Sequence, residues 1–549
     1  MRTFILLFLS IVVWAGEAPQ GTVVVELSGS LQLRPAESLF GDGEMSLHEA
    51  TMCLRDAMAA PEPRVVLDLS RGFEPGVAAA EELAGVLRER RAGKSIVCLI
   101  DGLTDAALIV ASVCDEVVMP KSGTLAIHGL TLESWYLAPA LAKLGVRFHA
   151  VASGPFKSAP EMFTRAGPSD DARVDHRQLL ASLDRIVVGL SQHAGFTATS
   201  LERARATGLQ TAAMAEKLGL VLSQVDQDAW MAAQPEPVRH AKKGRDIPDL
   251  STFSGLMRFW GELLGGDGGA ARPPRSVAVV ELAGMILPGE HSTPGESICD
   301  GDTVALFDRL GGDKRVVAVV LRIDSGGGDA GASERIHNAV RRLDAIKPVV
   351  CLMDGVAASG GYMIACAARE IRCHRSTITG SIGVFALIPD VDGTLDLLGV
   401  HRYVETTSPR GDILHPGNWS PDKEVAFRDV VVDVDQRFRA MVTERRKFSG
   451  KRIDKLAEGR VFTGDQAVAE GLADGIGTLT TTVARARQLV NEPAPLPLER
   501  FPKNGGLAAR LGLTSTLAIV PHVAQLPVLV QLARRNLIVM AWNSFGEVR

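Results

Sequence analysis

Cysteine is scarce and scattered. The seven residues (Cys53, Cys98, Cys114, Cys299, Cys351, Cys366 and Cys373) fall singly, most of them in apolar runs, so they build no disulfide framework and read as small core hydrophobes. None is paired with histidine at a zinc-binding spacing, and no metal or other cofactor is expected. Positive charge is not in excess either: 59 Lys and Arg against 64 Asp and Glu leave a net charge of -5, with no basic arm, which excludes a general nucleic-acid surface. Long hydrophobic runs are also missing. The N-terminal one, FILLFLSIVVWA after Arg2, is shorter than the roughly 20 residues of a spanning helix, and the small residues Gly16 and Ala18 follow it. Residues 1–18 therefore read as a secretory signal or a short retained anchor, and both place the body on the extracytoplasmic (periplasmic) side of a membrane. In the tail, residues 501–549, the apolar stretch STLAIVPHVAQLPVLVQLARRNLIVMAW is broken by Pro521, Pro527 and Arg534-Arg535. That excludes a spanning helix and leaves an interfacial element or, preferably, an ordinary docked helix.

What the chain does have is length and repetition. At 549 residues, 46% hydrophobic and 22% charged, it exceeds one ordinary core and has a globular composition. Four stretches recur in the same order. TVVVELSGSLQ from Thr22 answers SVAVVELAGMI from Ser276, RVVLDLS from Arg64 answers VVAVVLRIDS from Val316, KSIVCLIDG from Lys94 answers KPVVCLMDG from Lys347, and LAKLGVRFHAV from Leu141 answers LDLLGVHRYVE from Leu395. The offset is nearly constant, so one domain is written twice. Each copy alternates β-branched runs with helical ones, which predicts an α/β fold of β-α-β units on a mainly parallel sheet. The copies span 19–232 and 276–500. Between them, the linker at 233–275 is rich in Pro, Gly and charge around LSTFSGLMRFWGELL.

The second copy contains VVCLMDGVAASGGYMIACAA, Val349 to Ala368. Its apolar start reads as a buried strand that Asp354 and Gly355 end, and Gly360-Gly361 opens a helix. Ser359 stands on the corner, where free N–H groups at a helix N-terminus favour negative charge on its oxygen. Taken alone, the stretch fits an N-cap serine with packing glycines at least as well. Comparison of the copies adds weight. The position matching Ser359 is Ala106, and the glycine triplet Gly326-Gly327-Gly328 after LRIDS is replaced by LDLSRGF. Conversely, SGPFKSAPEMFTR in the first copy carries Lys157 among Phe156, Ala159 and Phe163, whereas its counterpart SPRGDILHPGNW has no lysine. A lysine in apolar surroundings can lose its proton and act as a base, although a surface lysine with its stem packed down is the plain alternative.

GPFKSAPEMFTR, DGVAASGGYMIACAA and TGSIGV, taken with the duplication, resemble the long, duplicated form of the bacterial signal peptide peptidase (protease IV) family, within the superfamily of crotonase and ClpP. The resemblance runs from about Gly21 to Gly477. It implies Ser359 as nucleophile, Lys157 as general base, Ser381 of the GSIG turn as a contact of the lysine amine, and oxyanion donors from the backbone of Gly360 and of the glycine turn, Gly327 with Gly328. It implies an endopeptidase for apolar peptides such as severed signal peptides, attached to a membrane and assembled as a homo-oligomer, with a tetramer as the expected count. Departures from the family pattern are Asp324-Ser325-Gly326-Gly327-Gly328 where Asn-Ser-Pro-Gly-Gly is usual, Phe156 in place of a tyrosine, and Pro160. The missing proline predicts a looser turn. Two other functions fit the same fold: an acyl-CoA enzyme using the glycine turns without covalent catalysis, and an inactive membrane scaffold.

Overall fold

The computed structural model describes residues 21–35, 44–90, 93–192, 196–221, 223–241, 272–492, 494–502 and 538–540. The N-terminal apolar run, most of the linker and nearly all of the tail lie outside the described residues.

The β-branched runs of the first repeat, joined at the edge by Val238–His240 from the expected linker 233–275, form a six-stranded parallel sheet in the spatial order Val238–His240, Thr22–Glu26, Arg64–Asp68, Ser95–Leu99, Glu116–Met119, Ser223–Gln224. Its four inner strands are largely buried on both faces, so they read as continuous apolar runs rather than alternating ones. The second repeat repeats the plan: Leu498–Phe501, Ser276–Ala283, Val316–Ser325, Val349–Ala358, Glu370–Cys373 and Gly475–Ile476 pair in parallel in that order. Each repeat also carries a small antiparallel pair, Thr124–Ala126 with Gln210–Thr211 in the first and Ile378–Gly380 with Val461–Thr463 in the second. The molecule is an α/β protein with one fold present twice.

One sequence expectation fails here. Asp354 and Gly355 do not end their strand, which runs on to Ala358 and pairs first with Glu370–Cys373 and then with Ile378–Gly380. The carboxylate is tolerated inside because Arg322 meets it at 2.5 and 3.1 Å and His374 lies 3.6 Å away. Burial opposes charge on both partners, yet Arg322 and His374 hold Asp354 below the usual carboxylate range, and Asp354 and Glu82 hold His374 up at about 9. Glu82 belongs to the first repeat, lies 3.5 Å from His374 and accepts from the N–H of Leu479 at 3.0 Å. The two repeats are thus joined through a buried chain of alternating charge, whose members compensate one another's desolvation.

A third sheet crosses the boundary. Its order is Ser297–Cys299, Met285–Leu287, Gly328–Asp329, Ile538–Met540, Phe385–Asp390, Arg147–Ala152. Phe385 to Asp390 of the second repeat pair antiparallel with Ala152 to Arg147 of the first. This strand pair delivers the residues after Ala152, Lys157 among them, to the second repeat. The described residues of the tail join the same sheet as a strand, where a docked helix was the preferred expectation. The matching stretch of the second repeat, from His401, forms no strand and is exposed.

Candidate active site

Ser359 is the hinge between strand Val349–Ala358 and helix Gly360–Ala365. Its φ of 54° and ψ of −116° are costly for any residue with a Cβ, and the surroundings enforce them: its N–H donates to Gly380 O at 2.9 Å and its carbonyl accepts from Met363 N at 2.9 Å. No side-chain cap bond is made, so the N-cap alternative does not describe this serine. A Cβ on Gly361 would stand 2.5 Å from Ser325 O, which is why the helix can pack down onto the glycine turn. Tyr362 fixes the far side by donating to Leu472 O at 2.9 Å.

Lys157 arrives from the other repeat. Ser153 N–H donates to Val384 O at 2.9 Å, Ser153 Oγ accepts from Val384 N at 2.8 Å, and Phe156 N–H donates to Glu458 O at 3.1 Å. Gly459, at φ +88°, lies so close under the lysine that a Cβ there would meet Lys157 N at 2.5 Å. These clamps hold Lys157 Nζ 2.8 Å from Ser359 Oγ, 2.8 Å from Ser381 O and 2.9 Å from Ser381 Oγ. All three side chains are buried, Lys157 at 3% exposure, Ser359 at 0% and Ser381 at 1%. The surface-lysine alternative is therefore excluded. Burial pushes the Lys157 amine down to about 7, with Asp435 pulling the other way. A neutral amine carries two N–H bonds and one lone pair. The two oxygens of Ser381 can take the N–H groups, which turns the lone pair toward the Ser359 hydroxyl.

The glycine turn is pinned rather than loose. Ser325 Oγ donates to Gly284 O at 2.6 Å and accepts from Gly327 N–H at 3.2 Å, while Gly327 O accepts from Ile286 N–H at 3.0 Å. Those bonds restrain the turn in place of the missing proline. They also engage Gly327 N–H, which can serve an oxyanion only by exchanging its long bond to Ser325. Gly360 is the first helical residue, one of the positions whose N–H has no partner inside its helix. Gly328 pairs on its two sides with Ile286 and with Met540.

Sequence reading missed three supports. Gly459 and Ser153 seat the lysine, and Asp435 faces it from helix Pro421–Arg446, with Arg439 bound to its Oδ2 at 2.5 Å and no partner on Oδ1. Gly459 and Asp435 stand in no motif that the sequence reading picks out, whereas Ser153 opens the SGPFKSAPEMFTR stretch that carries Lys157. A cavity of about 480 Å3 abuts the glycine turn, lined by Leu33, Met285, Asp324, Gly327 and Val356 among others. A larger one, about 760 Å3, lies between the repeats near Arg88, Arg185 and Arg375 and touches none of Ser359, Lys157 and Ser381. Among the described residues, no cluster of His, Cys, Asp and Glu could hold a metal.

Comparison with known proteins decides the family. The model of peptidase family S49 matches the chain twice, over residues 88–235 and 341–492. The chain belongs to peptidase family S49. Among S49-type relatives it is 30% identical to Protease 4 of Haemophilus influenzae, over 86% of this chain and 78% of that one. It is 28% identical to Protease 4 of Salmonella typhi, over 86% and 79%, and 27% identical to the chloroplastic serine protease SPPA of Arabidopsis thaliana, over 74% and 60%. A solved structure of ClpP1 from Listeria monocytogenes matches 36% of this chain and 91% of its own, at 16% identity and a TM-score of 0.24. As an S49 member the protein is a serine peptidase, and the acyl-CoA reading falls away.

Proposed function

We propose that this S49 peptidase cuts peptide bonds with a dyad of Ser359 and Lys157, one residue from each repeat. The observation that carries the reading is the 2.8 Å contact between a buried lysine amine and a buried serine hydroxyl at the head of a helix. Neutral Lys157 takes the Ser359 proton as Oγ attacks the substrate carbonyl, and Ser381 holds the amine in line. The N–H of Gly360, with that of Gly327 or Gly328, receives the negative charge that develops on the carbonyl oxygen, one such donor lowering the barrier by about 3 kcal/mol. Lys157 then hands its proton to the leaving amine, an acyl-enzyme remains, and water attacks it with Lys157 again as base. No metal or cofactor is invoked.

The substrates we propose are apolar peptides, such as severed signal peptides at the membrane, by likeness to the family. The body would stand on the extracytoplasmic side, delivered by residues 1–18; among the described residues no helix is long and apolar enough to cross a membrane. Labelling by a fluorophosphonate, together with hydrolysis of an apolar peptide, tests the dyad. Both are expected to vanish in Ser359→Ala, and hydrolysis to fall at least about 1000-fold in Lys157→Met. Activity that survives Lys157→Met refutes the base, and no activity on any apolar peptide favours the scaffold.

Copies of the chain are proposed to join as the repeats do. The counterparts of strands Phe385–Asp390 and Arg147–Ala152 are residues 131–136 and 401–406, and both lie outside every sheet. Exposure alternates residue by residue along 131–136, as in an extended strand, and Trp135, Leu397, Leu398 and Tyr403 are exposed nearby. One copy's 401–406 laid against the next copy's 131–136 would repeat the internal pairing head to tail, an interface that closes into a ring, here proposed as a tetramer. Light scattering that finds a monomer at micromolar concentration refutes it.

A further inference from the structure

The cavity of about 760 Å3 between the repeats is lined from both of them. In the first repeat, helix Val77–Arg90 brings Arg88 to it and helix Asp170–Ser191 brings Arg185. In the second, Arg375 comes from the turn after strand Glu370–Cys373 and Asp465 from helix Gly464–Ala469. Ile186, Leu190 and Ala469 add apolar surface. All three arginines are exposed, so their guanidinium groups are open to a ligand. Asp465 is the only carboxylate among these described lining residues, and it is committed to Arg375 at 3.3 Å. Glu81 lies close behind, but its oxygens accept from Arg375 N–H at 2.8 Å and from the N–H and hydroxyl of Ser376 at 3.2 and 2.8 Å. Among the described residues, Arg88 and Arg185 donate only to main-chain oxygens, those of Leu190 at 3.0 Å and Ala181 at 3.1 Å.

The second repeat shows what its own arginine at this place has. Arg341 is the counterpart of Arg88 in the register that matches Lys94 with Lys347. It is held by Glu444 of helix Pro421–Arg446 at 2.8 and 3.2 Å. The corresponding helix of the first repeat ends Val187-Val188-Gly189-Leu190-Ser191, without a carboxylate, and Gly189 and Leu190 line the cavity instead. The first repeat has the cation and lacks its anion. Arginines left uncompensated around a concave surface attract anions, and the guanidinium fork fits phosphate oxygens two at a time.

We propose that this cavity binds a compact phosphate-bearing ligand, whose oxygens bridge Arg88 and Arg185 of the first repeat to Arg375 of the second. A soluble phosphate ester or polyphosphate and the head group of an anionic lipid share this chemistry. The ligand ties together the two sides on which Lys157 is seated. Helix Asp170–Ser191 rests on strand Val461–Thr463 through Ser182 Oγ, 2.9 Å from Thr463 Oγ1, and Gly459, packed under Lys157, comes just before that strand. The site stands apart from the dyad reading, since none of its residues touches Ser359, Lys157 or Ser381.

Isothermal titration of the full chain with inorganic pyrophosphate, at fixed ionic strength, tests this. The wild type is expected to bind one pyrophosphate per chain with a Kd below about 100 μM. Arg88→Gln and Arg185→Gln are each expected to weaken binding at least about tenfold. Asp465→Asn frees Arg375 and removes the facing negative charge, so it is expected to tighten binding about threefold or more. Arg342→Gln, at an exposed arginine paired with Asp308, is expected to change nothing. An unchanged far-ultraviolet circular dichroism spectrum shows that each variant is folded. No binding by the wild type at about 1 mM pyrophosphate overturns the inference. So does an equal loss in Arg342→Gln, which marks attraction to general surface charge, and so does weaker binding in Asp465→Asn. Dihexanoyl phosphatidylglycerol then identifies the source: displacement of bound pyrophosphate upholds a lipid head group, and no displacement upholds a soluble phosphate.

Discussion

If Lys157 is the base, its neutral form does the chemistry, and its burial sets the pH at which the enzyme works. An ordinary lysine, at 10.5, is neutral in about one molecule in 3000 at pH 7, whereas an amine held at about 7 is neutral in about half. Hydrolysis of an apolar peptide, followed as kcat/KM from pH 5 to 10, is therefore expected to rise tenfold per pH unit on the acid side and level off above about 7. Asp175, also raised to about 7 by burial, and Asp324, raised to about 6, titrate nearby, so Asp175→Asn and Asp324→Asn serve as controls that leave the midpoint in place.

The same displacement has a stability side. Between pH 7 and 10.5 the unfolded lysine holds a proton that the folded one has lost, so folding becomes more favourable as pH rises through that window. The handicap is complete below about 7 and gone above 10.5, and at about 1.4 kcal/mol per pH unit it is on the order of 5 kcal/mol. Lys157→Met removes the handicap but leaves the two Ser381 oxygens short of a donor, which costs about 1–3 kcal/mol. The inactive variant is therefore expected to be more stable than wild type at pH 7, by about 2 kcal/mol in urea unfolding, and to lose that advantage by pH 10. A difference that does not change between pH 7 and 10, or an activity limb with its midpoint near 10, would refute a lysine kept neutral by burial.

Three other substitutions test the surrounding structure. Ser381→Ala takes away one of the two groups that orient the amine, and kcat is expected to fall about 10- to 100-fold with KM little changed, read from peptide hydrolysis. Gly459→Ala drives a Cβ into the Lys157 backbone at a residue with φ +88°, and a loss of activity with about 1–3 kcal/mol of destabilisation is expected, measured by kinetics and urea unfolding. Arg322→Met takes the bidentate partner from buried Asp354, leaving it only His374, and one of two cations from Glu281, which keeps Arg500, so a loss of about 3 kcal/mol is expected by denaturation, far above that of any exposed ion pair such as Arg342 with Asp308.

Much of this was legible beforehand because it is local or periodic. The β-branched runs become the strands of the two parallel sheets, and Gly360-Gly361 opens the helix as expected. Ser359 and Lys157 were marked by difference, each present in one copy and missing from the other. The end of the serine strand was misread because an aspartate and a glycine are ordinary stop signals, and only the buried Arg322 and His374 cancel that signal at Asp354. Gly459, Ser153 and Asp435 were invisible since each acts through a contact made far along the chain.

The sequence by itself determined the duplication, the alternation of strand and helix, and the chemistry available, because these follow from the order of side chains along the chain. Tertiary structure alone decided that the amine and the hydroxyl meet. Residues 202 apart touch because an antiparallel pairing at Phe385–Asp390 and a glycine at 459 bring one repeat's loop under the other's helix. It also decided that the lysine is dry enough to lose its proton, since desolvation depends on everything packed around a group and on nothing that its neighbours in sequence reveal.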